Sequence, residues 1–448
     1  MTHSLDDLCH ALLQAAKTAG ADAADAMAIE GQSQVIDVRA GALEQAERAE
    51  GTDIGLRVIL GKRQACVSAS DTKPETIRIL AERAVAMARE APEDTSVGLA
   101  DAADLATARD ADTLELADPA PPPAAEALQA LALEAEAAAL AVDGVSQVSG
   151  ASATWSDRSL FIAASNGFSG GYRRTSSGIS CVAIAGTGTS MQRDYDGDAR
   201  TFAEDLRSAR DIGRVAGERT VAMMDARKPP TGSFPVVYDE RISGGLIGHL
   251  LSAANGASVA RGASWLLDKL ETKVLPAGLS VTENPHRARV SGSRPFDAEG
   301  LATAQRALVE DGILKGWVLD LANARKLHMN STANARRGTS APPSPGVGNI
   351  ELTPGSQSRD DLLAEMGTGL LVTSLIGATI NPNTGDYSRG ASGFWVEGGE
   401  IAYPVNECTI AGSLPEMLRN LTPANDARPW LSRVVPSLRV ERMTIAGD

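Results

Sequence analysis

Five histidines (His3, His10, His249, His286, His328) and four cysteines (Cys9, Cys66, Cys181, Cys408) are the side chains of this chain best suited to hold a transition metal. No two histidines have the separation of roughly three to five residues that places ligands on one helical face. Cys9 and His10 are adjacent, so on a helix they diverge. Distant ligands can still converge in a fold, and spacing alone leaves that route open. Other chemistries lack their motif. Gly61, Lys62 and Arg63 do not complete a Walker loop, Gly186 to Thr189 lacks the rest of a dinucleotide fingerprint, and no serine sits in GxSxG. Tyr387 and Arg389 lie among glycines and offer a phenol and a guanidinium that can hydrogen-bond the carbonyls of an extended peptide. Alternatively, Arg389 pairs with Asp386 or another acid and holds its own loop.

The elements that must position these groups can be read from periodicity. Leu8, Cys9, Leu12, Leu13 and Ala16 have helical spacing behind a Ser4 cap with Asp7 three residues on. A strand pair is expected to turn at Ala40 and Gly41, and Ile54, Leu56, Val58 and Leu60 share a strand face before a turn at Gly61 and Lys62. Pro74 opens a helix to about residue 89 with Ile77, Leu80, Ala84 and Met87 toward the core. A proline-rich connector at 117–125 leads into an Ala-rich helix. Strands are then expected at 145–154, 159–164 and 178–186, and a helix at 203–224. The cluster at 227–232 reads as the linker, giving an N-terminal α+β domain over 1–225, with a helix and an antiparallel strand meander, and a mostly β C-terminal domain over 226–448. There Ser243 reads as the cap of a short helix ending at Gly256. Gly244, Gly245 and Gly248 within it cost about 1 kcal/mol each, offset by close packing on a sheet or by approach of a peptide or partner. Further on, Ser358 and Asp361 cap another helix, 369–376 is a strand, Gly398 and Gly399 turn a hairpin, and 437–445 is a last strand.

The chain has 448 residues, 43% of them apolar and only 4% aromatic, enough for two or three cores built on Leu, Val, Ile and Ala. A net charge of -15 argues against a phosphate-backbone partner. The N-terminus has no cationic start followed by an apolar run, and 369–380, the longest apolar segment, is too short for a bilayer. Scattered cysteines fit reduced thiols, and a cytoplasmic, membrane-free protein is expected.

Four stretches resemble one family: 226–256 (ARKPPTGSFPVVYDERISGGLIGHLLSAANG), 293–300 (SRPFDAEG), 323–335 (NARKLHMNSTANA) and 385–404 (GDYSRGASGFWVEGGEIAYP). In this order they resemble the PmbA/TldE branch of the TldD/PmbA family of metallopeptidases, also called modulators of DNA gyrase. The resemblance implies a sister TldD branch in which a helical HExxxH binds zinc and its carboxylate activates water. Alignment on Gly256 and on Gly262, Ala263 and Ser264 puts Ile247 and Ser252 at the two histidine positions and Gly248 at the glutamate. No Asp or Glu lies in 242–267, and 421–448 contains no cysteine to match the sister branch's further ligand. What the resemblance implies is a subunit with no catalytic residue, no metal ligand and no cofactor of its own. It pairs with a zinc-bearing TldD-type subunit in a heterodimer that encloses and cleaves small unfolded peptides. Two alternatives remain at this stage: a metallopeptidase with relocated ligands, and a homodimeric peptide-binding or regulatory protein.

Overall fold

The computed structural model describes residues 4–447; His3 lies outside the described residues. The first half is one antiparallel sheet with helices on a single face. Helix α1 (Leu5–Thr18) starts at Ser4 with a reciprocal capping box to Asp7. Strands β1 (Ala23–Arg39), β2 (Ala42–Leu60) and β3 (Arg63–Ala69) follow, then α2 (Pro74–Glu90), α3 (Ala125–Leu140), β4 (Val145–Ala164), β5 (Ser169–Ala185), β6 (Gln192–Arg200) and α4 (Ala209–Ala222). The sheet order is β3-β2-β1-β4-β5-β6. Strand parity divides its faces. Ala24, Ala26, Ala28, Ile36 and Val38 of β1 pack with residues of α1, α2 and α3, while Met27 and Ile29 meet Phe296 of the second half.

The turns at Ala40–Gly41 and Gly61 have positive φ, which suits the two glycines and which Ala40 adopts at 53° despite its Cβ. Several expectations need correction. Met87 is 44% exposed, and Ala81, Val85 and Ala88 complete the buried face of α2 instead. The segments 145–154 and 159–164 are one unbroken strand, β4. Residues 203–205 form a separate 3-10 turn, and α4 begins only after Ser208, whose hydroxyl accepts from Asp211 N.

In the second half, β7 (Gly232–Tyr238) leads into α5 (Glu240–Ala253) and α6 (Gly256–Ala260). Short strands β8 (Val281–Glu283), β9 (Arg306–Glu310) and β10 (Ile313–Leu314) precede α7 (Leu321–Lys326), β11 (Ala335–Arg336), β12 (Ser344–Pro345) and β13 (Ile350–Leu352). Helix α8 (Arg359–Met366) has the Ser358–Asp361 capping box. It is followed by β14 (Gly369–Ile380), β15 (Asp386–Glu397), β16 (Glu400–Ser413), α9 (Leu414–Arg419), β17 (Leu421–Pro423), β18 (Arg433–Val434) and β19 (Leu438–Ala446). One sheet runs β16-β15-β14-β7-β19-β17, and a further β16–β19 pairing closes five of these strands into a barrel. A second sheet runs β10-β9-β8-β13-β18. The fold is α+β, and the largest apolar core lies in the strand-rich second half. Among the described residues no helix is long and apolar enough to cross a membrane.

The halves are tied together by arginines. The Arg325 guanidinium donates to Ser96 O (3.0 Å) and Leu99 O (2.7 Å). Arg337 reaches across to Asp25, which also accepts from Arg57 Nε at 2.7 Å. All three of these side chains are at least 95% buried.

Candidate functional site

Helix α5 carries Ile247, Gly248 and Ser252, the residues expected at the sister branch's metal-ligand positions. It starts one turn before the expected cap: Asp239 caps it by accepting from Arg241 N, and Ser243 lies inside, its hydroxyl donating to Val435 O at 3.3 Å. The helix ends at Ala253, and Gly256 opens α6. Leu246, Ile247, Leu250 and Leu251 face the core. Ile247 is fully buried, whereas Ser252 is exposed and returns its hydroxyl to Gly248 O at 2.9 Å. Positions five apart on a helix differ by about 140°, so these two side chains point to different surroundings.

The outer stripe of α5 is Gly244, Gly248 and Ser252. Arg433 of β18 lies across it. A Cβ on Gly244 would sit 3.2 Å from Arg433 Cδ, and one on Gly248 would sit 3.0 Å from its Nη1. Arg433 Nη1 donates to Gly244 O at 3.2 Å. The close approach that these two glycines permit is by a guanidinium, not by a sheet; nothing lies near Gly245. Arg433 was not legible locally, because 189 residues separate it from the carbonyl it meets.

Strand β15 supplies Tyr387 and Arg389, two apart and therefore on one face. Tyr387 is only 3% exposed and belongs to the core. Its ring meets His249 edge-on at 5.8 Å, and its hydroxyl is hydrogen-bonded to Tyr238. The phenol of Tyr387, expected as a peptide contact, therefore stands behind the surface of the isolated chain. Arg389 is half-buried, and its Nε is buried without a hydrogen-bond partner among the described residues. The expected pairing with Asp386 is not made, since residues three apart on a strand face opposite ways and Asp386 accepts from Thr384 Oγ1 at 2.6 Å.

Burial, then Arg389, then Arg433 hold the His249 imidazole below its ordinary pKa. Burial raises Tyr387, and raises Tyr238 well above the ordinary phenol. The site thus combines a neutral imidazole with two guanidinium groups that have no carboxylate partner among the described residues. Such donors can hold carbonyl or carboxylate oxygens.

The residues do not fit zinc. Ile247 and Gly248 have no side-chain lone pair to give, the Ser252 hydroxyl is turned to its own helix, and two nearby guanidiniums oppose a dication. Among the described residues no three His, Cys, Asp or Glu side chains are grouped to hold a metal ion.

Three family models match in order: PmbA/TldA metallopeptidase domain 1 over residues 24–88, the central domain over 117–224 and the C-terminal domain over 231–447. The chain belongs to the PmbA/TldD metallopeptidase family. It is 36% identical to the protein named Metalloprotease PmbA of Escherichia coli O157:H7, covering 92% of this chain and 90% of that one. A solved structure from Bacteroides thetaiotaomicron, described as a modulator of DNA gyrase, superposes with a TM-score of 0.90 at 26% identity, covering 98% of each chain. The fold is also that of TldE from Thermococcus kodakarensis, with a TM-score of 0.85 at 21% identity over 98% of this chain and 99% of that one.

Proposed function

We propose that this protein is the zinc-free subunit of a peptidase pair, a cytoplasmic partner that joins a TldD-type zinc subunit, lines the chamber and holds extended peptide. Its relatives carry the name metalloprotease. On this reading, that activity resides in the complex. The observation that supports the reading best is the chemistry at the sister branch's ligand positions: Ile247 in the core, Gly248 under Arg433, and Ser252 bonded to its own helix. Arg389 and Arg433 then act as donors to peptide oxygens, which favours binding with little dependence on side-chain sequence. The acidic balance gives no support for nucleic acid as a partner.

The test is metal content and peptidase activity of the purified chain, alone and with a TldD-type subunit. The expected result is no stoichiometric zinc and no cleavage of an unfolded peptide alone, with cleavage and co-elution on mixing. One zinc per chain with cleavage by the isolated protein would favour relocated ligands. Failure to co-elute would favour a homodimeric peptide binder.

A further inference from the structure

A cavity of about 270 Å³ lies between the free face of the first sheet and the loop that carries Arg294 and Phe296. One wall is apolar. Met27 pairs with Ile162 across β1 and β4, Leu160 pairs with Tyr172 across β4 and β5, and Phe296 stands over them. The Phe296 ring meets Tyr172 at 5.6 Å and Phe168 at 5.0 Å, both edge-on. Gly170 leaves room for it, since a Cβ there would come within 3.1 Å of the ring.

The other wall is cationic. Arg174, Arg294, Arg336 and Arg337 line it, in a chain whose net charge is -15. Arg174 donates only to carbonyls, those of Ser291 and Ser293, and lies over the Tyr172 ring at 5.4 Å. Arg294 is 6% exposed, reaches two carbonyls at 3.3 and 3.4 Å, and has a buried Nε with no acceptor among the described residues. The Arg337 side chain is wholly buried, shares Asp25 with Arg57, and has an Nη2 with no hydrogen-bond partner among the described residues; it contributes field from behind the wall. Arg336 is exposed at the rim, and its side chain makes no hydrogen bond or ion pair with the described residues.

Asp297 also lines the cavity and Glu283 lies near it, but both carboxylates are engaged by other donors. Asp297 accepts from the backbone N–H groups of Glu299, Leu301 and Ala335. Glu283 accepts from Arg306, Asn334 and Gly348. Arg294 is buried with no carboxylate hydrogen-bonded to it among the described residues, which is costly, and a ligand anion relieves that cost. A bare phosphate would leave the apolar wall uncovered. The volume is below the roughly 300–1,000 Å³ of pockets that take a whole small ligand, and it suits one residue.

We propose that this cavity binds the terminal carboxylate of a peptide whose last side chain is apolar, the carboxylate on Arg336, Arg294 and Arg174 and the side chain on Tyr172 and Phe296. That the ligand is a peptide end rests on the proposed function; the site itself does not. Calorimetry on the full chain with N-acetylphenylalanine, its primary amide, N-acetylglycine and inorganic phosphate tests it. The acid is expected to bind, with the amide and N-acetylglycine each at least tenfold weaker and phosphate not competing. Arg336→Gln should weaken the acid at least tenfold with an unchanged melting temperature. Equal binding of acid and amide by the unsubstituted chain would overturn the proposal without recourse to any variant, as would displacement by phosphate at equal concentration. No TldD-type subunit is present in this measurement. Acid binding without activation on mixing would therefore remove only the proposed function, and activation without acid binding only this inference.

Discussion

His249 reports on the two arginines around it. Its folded pKa lies below the ordinary 6.5 because burial, Arg389 and Arg433 all disfavour the imidazolium. The unfolded chain then binds the extra proton as pH falls through 6.5, so the stability from this group is present above that pH and lost below it. Arg389→Gln is expected to move the imidazole pKa up and to shrink the loss of stability on acidification. A proton NMR titration of the ring, with melting curves across pH 5–8, checks both. An unmoved pKa would show that Arg389 does not act on His249. The same residue scale shows what a sequence hides. Tyr387 and Arg389 were visible as a phenol and a guanidinium among glycines, but the phenol's burial depends on Tyr238, in a strand that pairs not with β15 but with β14. Arg433 was invisible because only the fold brings β18 to α5.

At the scale of elements, the two helices with interior glycines make opposite predictions. Gly245 of α5 is exposed with nothing within 4 Å of a built Cβ, so Gly245→Ala should stabilise by about 1 kcal/mol through helix propensity. Gly213 of α4 is where α3 crosses; a Cβ there would sit 1.9 Å from Ala135 O, so Gly213→Ala should destabilise by about 1–3 kcal/mol despite the same propensity gain. Urea denaturation of both variants decides it. Elements with local chemistry were legible: the α1 and α8 capping boxes, the hairpins at Ala40–Gly41 and Gly398–Gly399, and the periodic face of α2 apart from Met87. Strand β6, with sequence QRDYDGDAR, was missed because it has no apolar alternation. It forms at the sheet edge by pairing with β5, and Asp196 there is held by Arg207 and Arg219. The start of α5 was misplaced by one turn because Ser243 and Asp239 are both good caps and only Asp239 precedes the first helical residue.

For the whole molecule, the decisive contact is the carboxylate of Asp25 between Arg57 and Arg337. Burial lowers the Arg337 pKa to about 10, a measure of how far water is excluded. Removing that carboxylate leaves two buried cations, and Asp25→Ala should cost about 3–5 kcal/mol. Glu75→Ala, which takes a carboxylate from exposed Arg78 on α2, should cost far less, because solvent screens that pair. Denaturant midpoints of the two variants give the comparison, and similar losses would mean that the buried triad does not hold the halves together. No local pattern in the sequence marks this junction, since its partners are 312 residues apart.

That separation constrains how the chain can assemble. Arg337 cannot be dehydrated until a strand made more than three hundred residues earlier is in place to receive it. A gene split after residue 225 would therefore leave Arg337 of the later fragment in water without its carboxylate, and Gly55 of the earlier one without the Thr339 backbone that lies against it. Each piece would also uncover its share of the apolar contact among Met27, Ile162 and Phe296.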